Sequence, residues 1–174
     1  MKKILSLVLS LTVISGVCAA VLAYVNELTK APIAATAAAD ELAAVKAVLP
    51  AEATTVEKLA GVEGAFVGKT ADGAVAGYAA KGKDGGGYGG DIVLMVGFRS
   101  DKRTVVRYRT LVATETPGLG MKLNTPEFAD QFGGKDATAL KVKKEGGDIE
   151  AITSATITSK AVCRALANAA AALK

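Results

Sequence analysis

Histidine and tryptophan are both missing from this chain. Without histidine the commonest general base and metal ligand is gone, and with it every Ser-His-Asp or Cys-His hydrolase arrangement; a serine–lysine variant stays open on this count. Cysteine is scarce too, with only Cys18 and Cys163, so no iron–sulfur or zinc ligand set can be assembled. Cys163, beside Val162 on an apolar-periodic stretch, reads as a small buried hydrophobe. Aromatic residues make up 5% of the chain and the net charge is +4, with Lys and Arg scattered; there is no basic stripe interleaved with stacking rings, so no nucleic-acid footprint. Charged residues at 22% also exclude a disordered polyelectrolyte.

Two glycine-rich pieces fail as nucleotide motifs. Gly68-Lys69-Thr70 ends like a P-loop, but Glu63 stands where the first glycine is required. Gly85-Gly86-Gly87-Tyr88-Gly89-Gly90 is followed by a strand rather than a helix, which is wrong for dinucleotide binding and suits a mobile hairpin connection.

What the chain does have begins at its N-terminus. Ile4 to Val25 carries no charge, and as a helix it would extend about 33 Å, enough to cross a bilayer core. Lys2 and Lys3 precede it, which by the positive-inside rule puts the N-terminus in the cytoplasm and everything after Val25 outside it, on the periplasmic or extracytoplasmic side of the plasma (inner) membrane. Its length favours a retained anchor over a cleaved signal peptide, for which Ala19, Ala20 and Ala23 offer loose sites. Val17 before Cys18 is a poor residue for lipoprotein processing. The expected organisation is an anchor over residues 1–25, a helical linker over 26–50 interrupted near Pro32 and closed by Pro50, and one domain over 51–174.

In that domain the pattern predicts strands over Gly64–Lys69, Val75–Lys81, Ile92–Phe98 and Thr104–Val112, pairing antiparallel. A short helix follows, from an N-cap at Thr125 to Phe132, then a strand over Leu140–Lys144. A last helix carries apolar residues at Ala161, Val162, Ala165, Leu166, Ala169 and Leu173, with Thr158 or Ser159 as N-cap. Strands followed by helices make the fold class α+β.

Before the last helix runs Glu150-Ala151-Ile152-Thr153-Ser154-Ala155-Thr156-Ile157-Thr158-Ser159. The helix N-terminus would face Thr156 with unpaired N–H groups and the positive end of its dipole, favouring an anionic phosphate by about 0.3–1 kcal/mol. On mechanism alone, such hydroxyl runs are most simply caps. A second piece, Thr114-Glu115-Thr116-Pro117-Gly118-Leu119-Gly120-Met121-Lys122, is a turn-rich loop whose exposed backbone can approach a planar ring.

These two segments, in this order, resemble the FMN-binding domain family shared by the G subunits of Rnf-type ion-translocating complexes and the C subunits of sodium-pumping NADH:quinone reductases. The hydroxyl run is similar to that family's flavinylation motif, approximately Asp-x-x-[Ser/Thr]-Gly-Ala-[Ser/Thr]. Here Glu150 stands at the Asp position, Thr153 at the first hydroxyl, Ser154 at the Gly, Ala155 at the Ala, and Thr156 at the acceptor. The glutamate keeps the carboxylate with a longer reach, and a serine at the glycine position disfavours positive φ. The Glu115–Gly120 loop matches the family's Glu-Thr-Pro-Gly-Leu-Gly in full.

The resemblance implies FMN held covalently through a phosphoester on Thr156, attached once during maturation by a separate flavin transferase that uses FAD and magnesium. It implies Thr153 and Thr158 as donors to phosphate oxygens and Ser154 and Ala155 as small residues leaving room. Glu115, Thr116, Gly118, Leu119 and Gly120 would border the isoalloxazine, with Tyr88 a further contact. The implied function is electron transfer within a membrane complex coupling ferredoxin and NAD chemistry to ion movement, with other subunits of that complex as partners. The short chain sides with the Rnf-type family members over the longer quinone-reductase ones. A membrane-anchored binding or assembly module without flavin is the alternative class.

Overall fold

The computed structural model describes residues 2–174. It opens with one helix, α1, over Lys2–Val48. The chain divides into two compact units, the helix up to Asp40 and the segment Glu41–Lys174. In the first unit the side chains from Ile4 to Val25 are exposed and apolar around the whole helix, which is the surface a helix presents to lipid rather than to a protein core. Among the described residues α1 is the one helix long and apolar enough to cross a membrane, a single membrane-anchoring segment.

The expected break near Pro32 does not occur: Pro32 lies inside a continuous helix. Proline removes one backbone donor and crowds the preceding turn. The alanine-rich stretch after it is the strongest helix-forming composition available, and the remaining ladder carries the element through.

In the second unit, five strands form an antiparallel sheet in the order β1 (Thr55–Lys58), β2 (Ala65–Lys69), β3 (Val75–Asp84), β4 (Ile92–Phe98) and β5 (Val105–Ala113). This is a simple meander, so every connection is short. Strand β4 is buried on both faces. Ile92, Leu94, Val96 and Phe98 point toward the helix α3 (Thr156–Ala172) and pack with Val162, Leu166 and Phe132. Met95 points the other way, onto a second cluster made with Phe66, Ala79 and the last turns of α1 at Ala44, Val45 and Val48 and the adjoining Leu49. Residues expected to be linker thus supply core side chains.

The apolar positions expected on the last helix are all buried. Helix α3 lies so close to β3 that a Cβ at Gly82 would overlap the carbonyl oxygen of Ala165. A Cβ at Gly97 would overlap that of Val48.

Several local expectations are corrected. Strand β1 was not foreseen, because its Thr-Val-Glu-Lys sequence is nearly all exposed and lacks alternation. The strand expected over Leu140–Lys144 reduces to a single bridge, Val142 with Ile149, and a 3-10 turn over Lys143–Glu145. Gly146, at φ +80°, turns the chain back at once, and the Lys143 N–H reaches the Ile149 carbonyl at 2.8 Å. The short helix is four α-helical residues, α2 (Pro126–Ala129), followed by a 3-10 turn to Phe132. Thr125 precedes α2 but does not cap it with its side chain, which donates to the Lys122 carbonyl at 2.8 Å. Helix α3 starts at Thr156, so Thr158 and Ser159 lie in its first turn and neither is the N-cap; that position is Ala155.

Candidate functional site

Ser154 adopts φ +63°, turning the chain sharply between Ile152, which is buried in the core, and the start of α3. The serine therefore does take the conformation that favours glycine, against expectation, at a strain of about 1 kcal/mol. Ser159 locks the turn from within: its Oγ accepts from the Ile152 N–H at 2.9 Å and donates to the Ala155 carbonyl at 3.0 Å.

The consequence is a helix start without a side-chain cap. The N–H groups of Thr156, Ile157 and Thr158 have no acceptor among the described residues, and the first-turn dipole adds its positive end. Of the hydroxyls here, Ser159 is consumed by the turn and Thr158 donates to Glu115 Oε2 at 2.7 Å. The hydroxyls of Thr153, Ser154 and the partly exposed Thr156 have no hydrogen-bond partner among the described residues, and of these three only Thr156 stands on the first turn of α3.

A cavity of about 550 Å³ opens beside this turn, lined by Ser154, Ala155, Thr156, Ile157 and Thr158 from one side. Glu115, Thr116, Leu119 and Gly120 line the other, with Tyr88 at the mouth. The volume lies in the ordinary range for a small-molecule site. Its rim is apolar and open: Tyr88 is 74%, Ile157 53% and Leu119 42% exposed. Apolar walls suit a planar ring, and the free N–H groups of α3 suit a phosphate, so the residues present fit a flavin mononucleotide. A larger cleft of about 630 Å³ beside β5, with Arg107 and Arg109 in its wall, contains none of these features.

Two expected residues stand outside the cavity lining. Gly118, at φ +75°, makes the turn of the loop and serves its shape. Thr153 is exposed and faces a separate cleft of about 160 Å³ that it shares with Glu150, Glu127 and Gln131. Glu150 pairs with Lys143, and its N–H donates to Gln131 Oε1 at 2.7 Å. Ile157 was missed in the sequence, where an apolar residue in a helix reads as core; its exposure beside the cavity is visible only in three dimensions.

The Gly85–Gly90 connection is the hairpin loop between β3 and β4, as expected, and it is fastened at both ends. Arg164 on α3 grips Asp84 through two hydrogen bonds, Nε to Oδ2 at 2.9 Å and Nη2 to Oδ1 at 2.8 Å. This grip, with a further bond from the Gly86 N–H, holds the Asp84 carboxyl below the usual aspartate range. Burial pushes the Cys163 thiol up to about 11, which fits its role as an inert core side chain.

Residues 87–171 match the FMN-binding domain family, a span that takes in the glycine loop from Gly87 on, the Glu115–Gly120 loop and the Thr156 turn. The chain is 34% identical to the G subunit of the ion-translocating oxidoreductase complex of Methanosarcina acetivorans, over 97% of this chain and 93% of that one. It is 35% identical to the G subunit of the Na(+)-translocating ferredoxin:NAD(+) oxidoreductase complex of Acetobacterium woodii, over 92% of this chain and 87% of that one. Among solved structures it resembles the C subunit of the Na(+)-translocating NADH-quinone reductase from Parabacteroides distasonis, with 30% identity, a TM-score of 0.51, and coverage of 62% of this chain and 59% of that one. With near-complete relatives above 30% identity and the FMN-binding domain placed over its site, this chain belongs to the family of ion-translocating oxidoreductase complex G subunits.

Proposed function

We propose that this chain is the G subunit of an Rnf-type ferredoxin:NAD oxidoreductase complex and carries FMN on Thr156 through a phosphoester. The observation that carries the reading is the coincidence at one point of a hydroxyl without a partner, three unpaired N–H groups of a 17-residue helix, and an apolar cavity. Bound there, FMN would supply electron transfer.

The chain's own residues divide the remaining work. Thr156 would be the tether, and the N–H groups of the α3 N-terminus would receive the phosphate; Thr153, facing the separate cleft, takes no part in that contact. Thr116, Leu119 and Gly120 wall one side of the ring, while Tyr88 and Ile157 shield it from water. Ser154 and Ala155 are small enough to leave the hydroxyl open to a flavin transferase, to which Glu150 on the surface is available. No histidine and no metal-binding cluster accompanies them among the described residues, so the chain acts as a carrier between partner subunits, which move the ion and oxidise the substrate. Lys2 and Lys3 before the anchor support a cytoplasmic N-terminus and a flavin domain on the other side, where a covalent bond keeps the cofactor from escaping.

The test is intact mass and in-gel flavin fluorescence of the denatured protein, co-expressed with a flavin transferase, beside Thr156→Ala. A gain of one FMN minus one water, fluorescent and lost in the variant, is expected. No gain in the parent protein, with the transferase active on another substrate, would put a flavin-free binding module in its place.

A further inference from the structure

We infer that Glu115 is a positioning residue whose carboxylate ties the Gly85–Gly90 loop to the first turn of α3 and thereby sets where Tyr88 stands over the cavity. The side chain is 6% exposed and both its oxygens are committed to the protein. Oε1 accepts from the Gly89 N–H at 3.2 Å, and Oε2 accepts from the Thr158 hydroxyl at 2.7 Å. Next to it, the Thr114 hydroxyl donates to the Gly89 carbonyl at 2.6 Å, so both backbone groups of Gly89 are engaged.

The surroundings are cut to fit this one group. A Cβ at Gly120 would overlap Glu115 Oε2, a Cβ at Gly87 would crowd Oε1, and a Cβ at Gly89 would overlap the Thr114 carbonyl. Gly87 and Gly120, from two loops, clear the space in which one carboxylate reaches a third element, and Gly89 clears the backbone beside it. At the other end of the loop, Asp84 is held by Arg164. Tyr88 lies between these two anchors, and its own hydroxyl has no hydrogen-bond partner among the described residues. Its position is therefore set through the backbone of Gly87 and Gly89; Thr114 and Glu115 together fix the near end, and Glu115 is the group that links it to α3. The latch stands on this geometry alone; its bearing on a flavin ring rests on the function proposed above.

The absence of tryptophan makes Tyr88→Trp a single-site reporter in the full chain. Glutamine can replace the latch, because its oxygen accepts from Gly89 and its amide donates to Thr158 once that hydroxyl rotates. Alanine cannot. In time-resolved anisotropy, the nanosecond depolarising component of the reporter should grow about twofold with Glu115→Ala, less with Thr158→Val, and return to the parent value with Glu115→Gln. In flavin-loaded protein, flavin emission should rise with Glu115→Ala as the quenching side chain leaves the ring, and stay quenched with Glu115→Gln. An unchanged reporter in a folded Glu115→Ala protein, folded by circular dichroism, would overturn the latch. If the alanine variant does not fold, Thr158→Val without any increase overturns it equally. Absence of flavin from the parent protein would sink the proposed function while leaving the anisotropy result to decide the latch.

Discussion

Ser154 sits at φ +63° one residue before the helix N-cap, and the balance there is small. Left-handed backbone costs a serine about 1 kcal/mol, while glycine would lose about 0.5 kcal/mol through its freer unfolded chain. Ser154→Gly should therefore raise stability by about 0.5 kcal/mol, and Ser154→Val, β-branched at a positive φ, should lower it by about 1 kcal/mol or more. Urea midpoints at constant slope would check both; a destabilised glycine variant would show that the serine hydroxyl has a role the hydrogen bonds do not reveal.

Asp84 allows a pH prediction with a definite sign. Its carboxyl is held below the usual value of 3.8, first by the hydrogen bonds from Arg164 and then by the Gly86 N–H. A carboxyl with a depressed folded pKa adds stability above its unfolded pKa and loses it as pH falls through the folded one. The parent protein should lose stability more steeply than Asp84→Asn as pH falls below about 4, followed by urea unfolding at stepped pH. Equal slopes would mean the ion pair contributes nothing to folding, as many exposed pairs do.

The residues that carry the candidate chemistry were legible as types and spacings. Thr156, Ser154 and the Glu115–Gly120 loop were singled out because the two segments, in that order, resemble the motifs of the FMN-binding domain family; on residue type alone they read as a cap and a turn. What could not be read was the division of labour among the hydroxyls. In the sequence Thr158 and Ser159 look as free as Thr156, and only the turn at Ser154 and the arrival of Glu115 from another loop commit them to internal bonds.

At the scale of elements, two backbone approaches hold the second unit together. Helix α3 seats on β3 at Gly82, and the last turn of α1 seats on β4 at Gly97, each against a carbonyl oxygen that cannot swing aside. Gly82→Ala and Gly97→Ala should each cost about 3 kcal/mol, the upper end of overpacking penalties, because backbone must shift rather than a side chain. Gly133→Ala, where a Cβ would meet only ordinary contacts of 3.5 and 3.6 Å, is the control and should change the urea midpoint little. Loss of stability in all three alike would argue against the close seating.

Elements with a strong internal pattern matched expectation, and those shaped by neighbours did not. Strand β4 was placed end to end over Ile92–Phe98, since a short apolar run rich in β-branched residues and bounded by polar ends reads as a buried strand. Helix α3 followed its apolar period. Strand β1, in contrast, exists because β2 offers it hydrogen bonds, from Thr55 opposite Lys69 to Lys58 opposite Phe66. Its own residues barely favour it.

For the molecule as a whole, the unit Glu41–Lys174 should fold without the anchor. A chain starting at Glu41 should melt within about 2 °C of the full chain in calorimetry. Starting instead at residue 51 removes Val45 and Val48, both fully buried against Met95 and Phe66. At about 1.5–3 kcal/mol for each such side chain, the shorter chain should lose several kcal/mol or fail to fold. Equal stability of the two truncations would place α1's last turns outside the domain.

Composition and order along the chain were enough for the apolar membrane-anchoring run, the α+β class and the absence of histidine, and, through two motifs, for the residues around which a flavin site is proposed. Each of these depends on local runs, spacings or absences, which no folding can change. The tertiary structure alone decided that Thr158 and Ser159 are committed to internal bonds while Thr156 is not, that Glu115 faces inward to join two loops and a helix, and that the end of α1 belongs to the core. Those outcomes depend on which distant segments meet, and the meeting points are set by glycine clearances and buried hydrogen bonds that a linear reading does not contain.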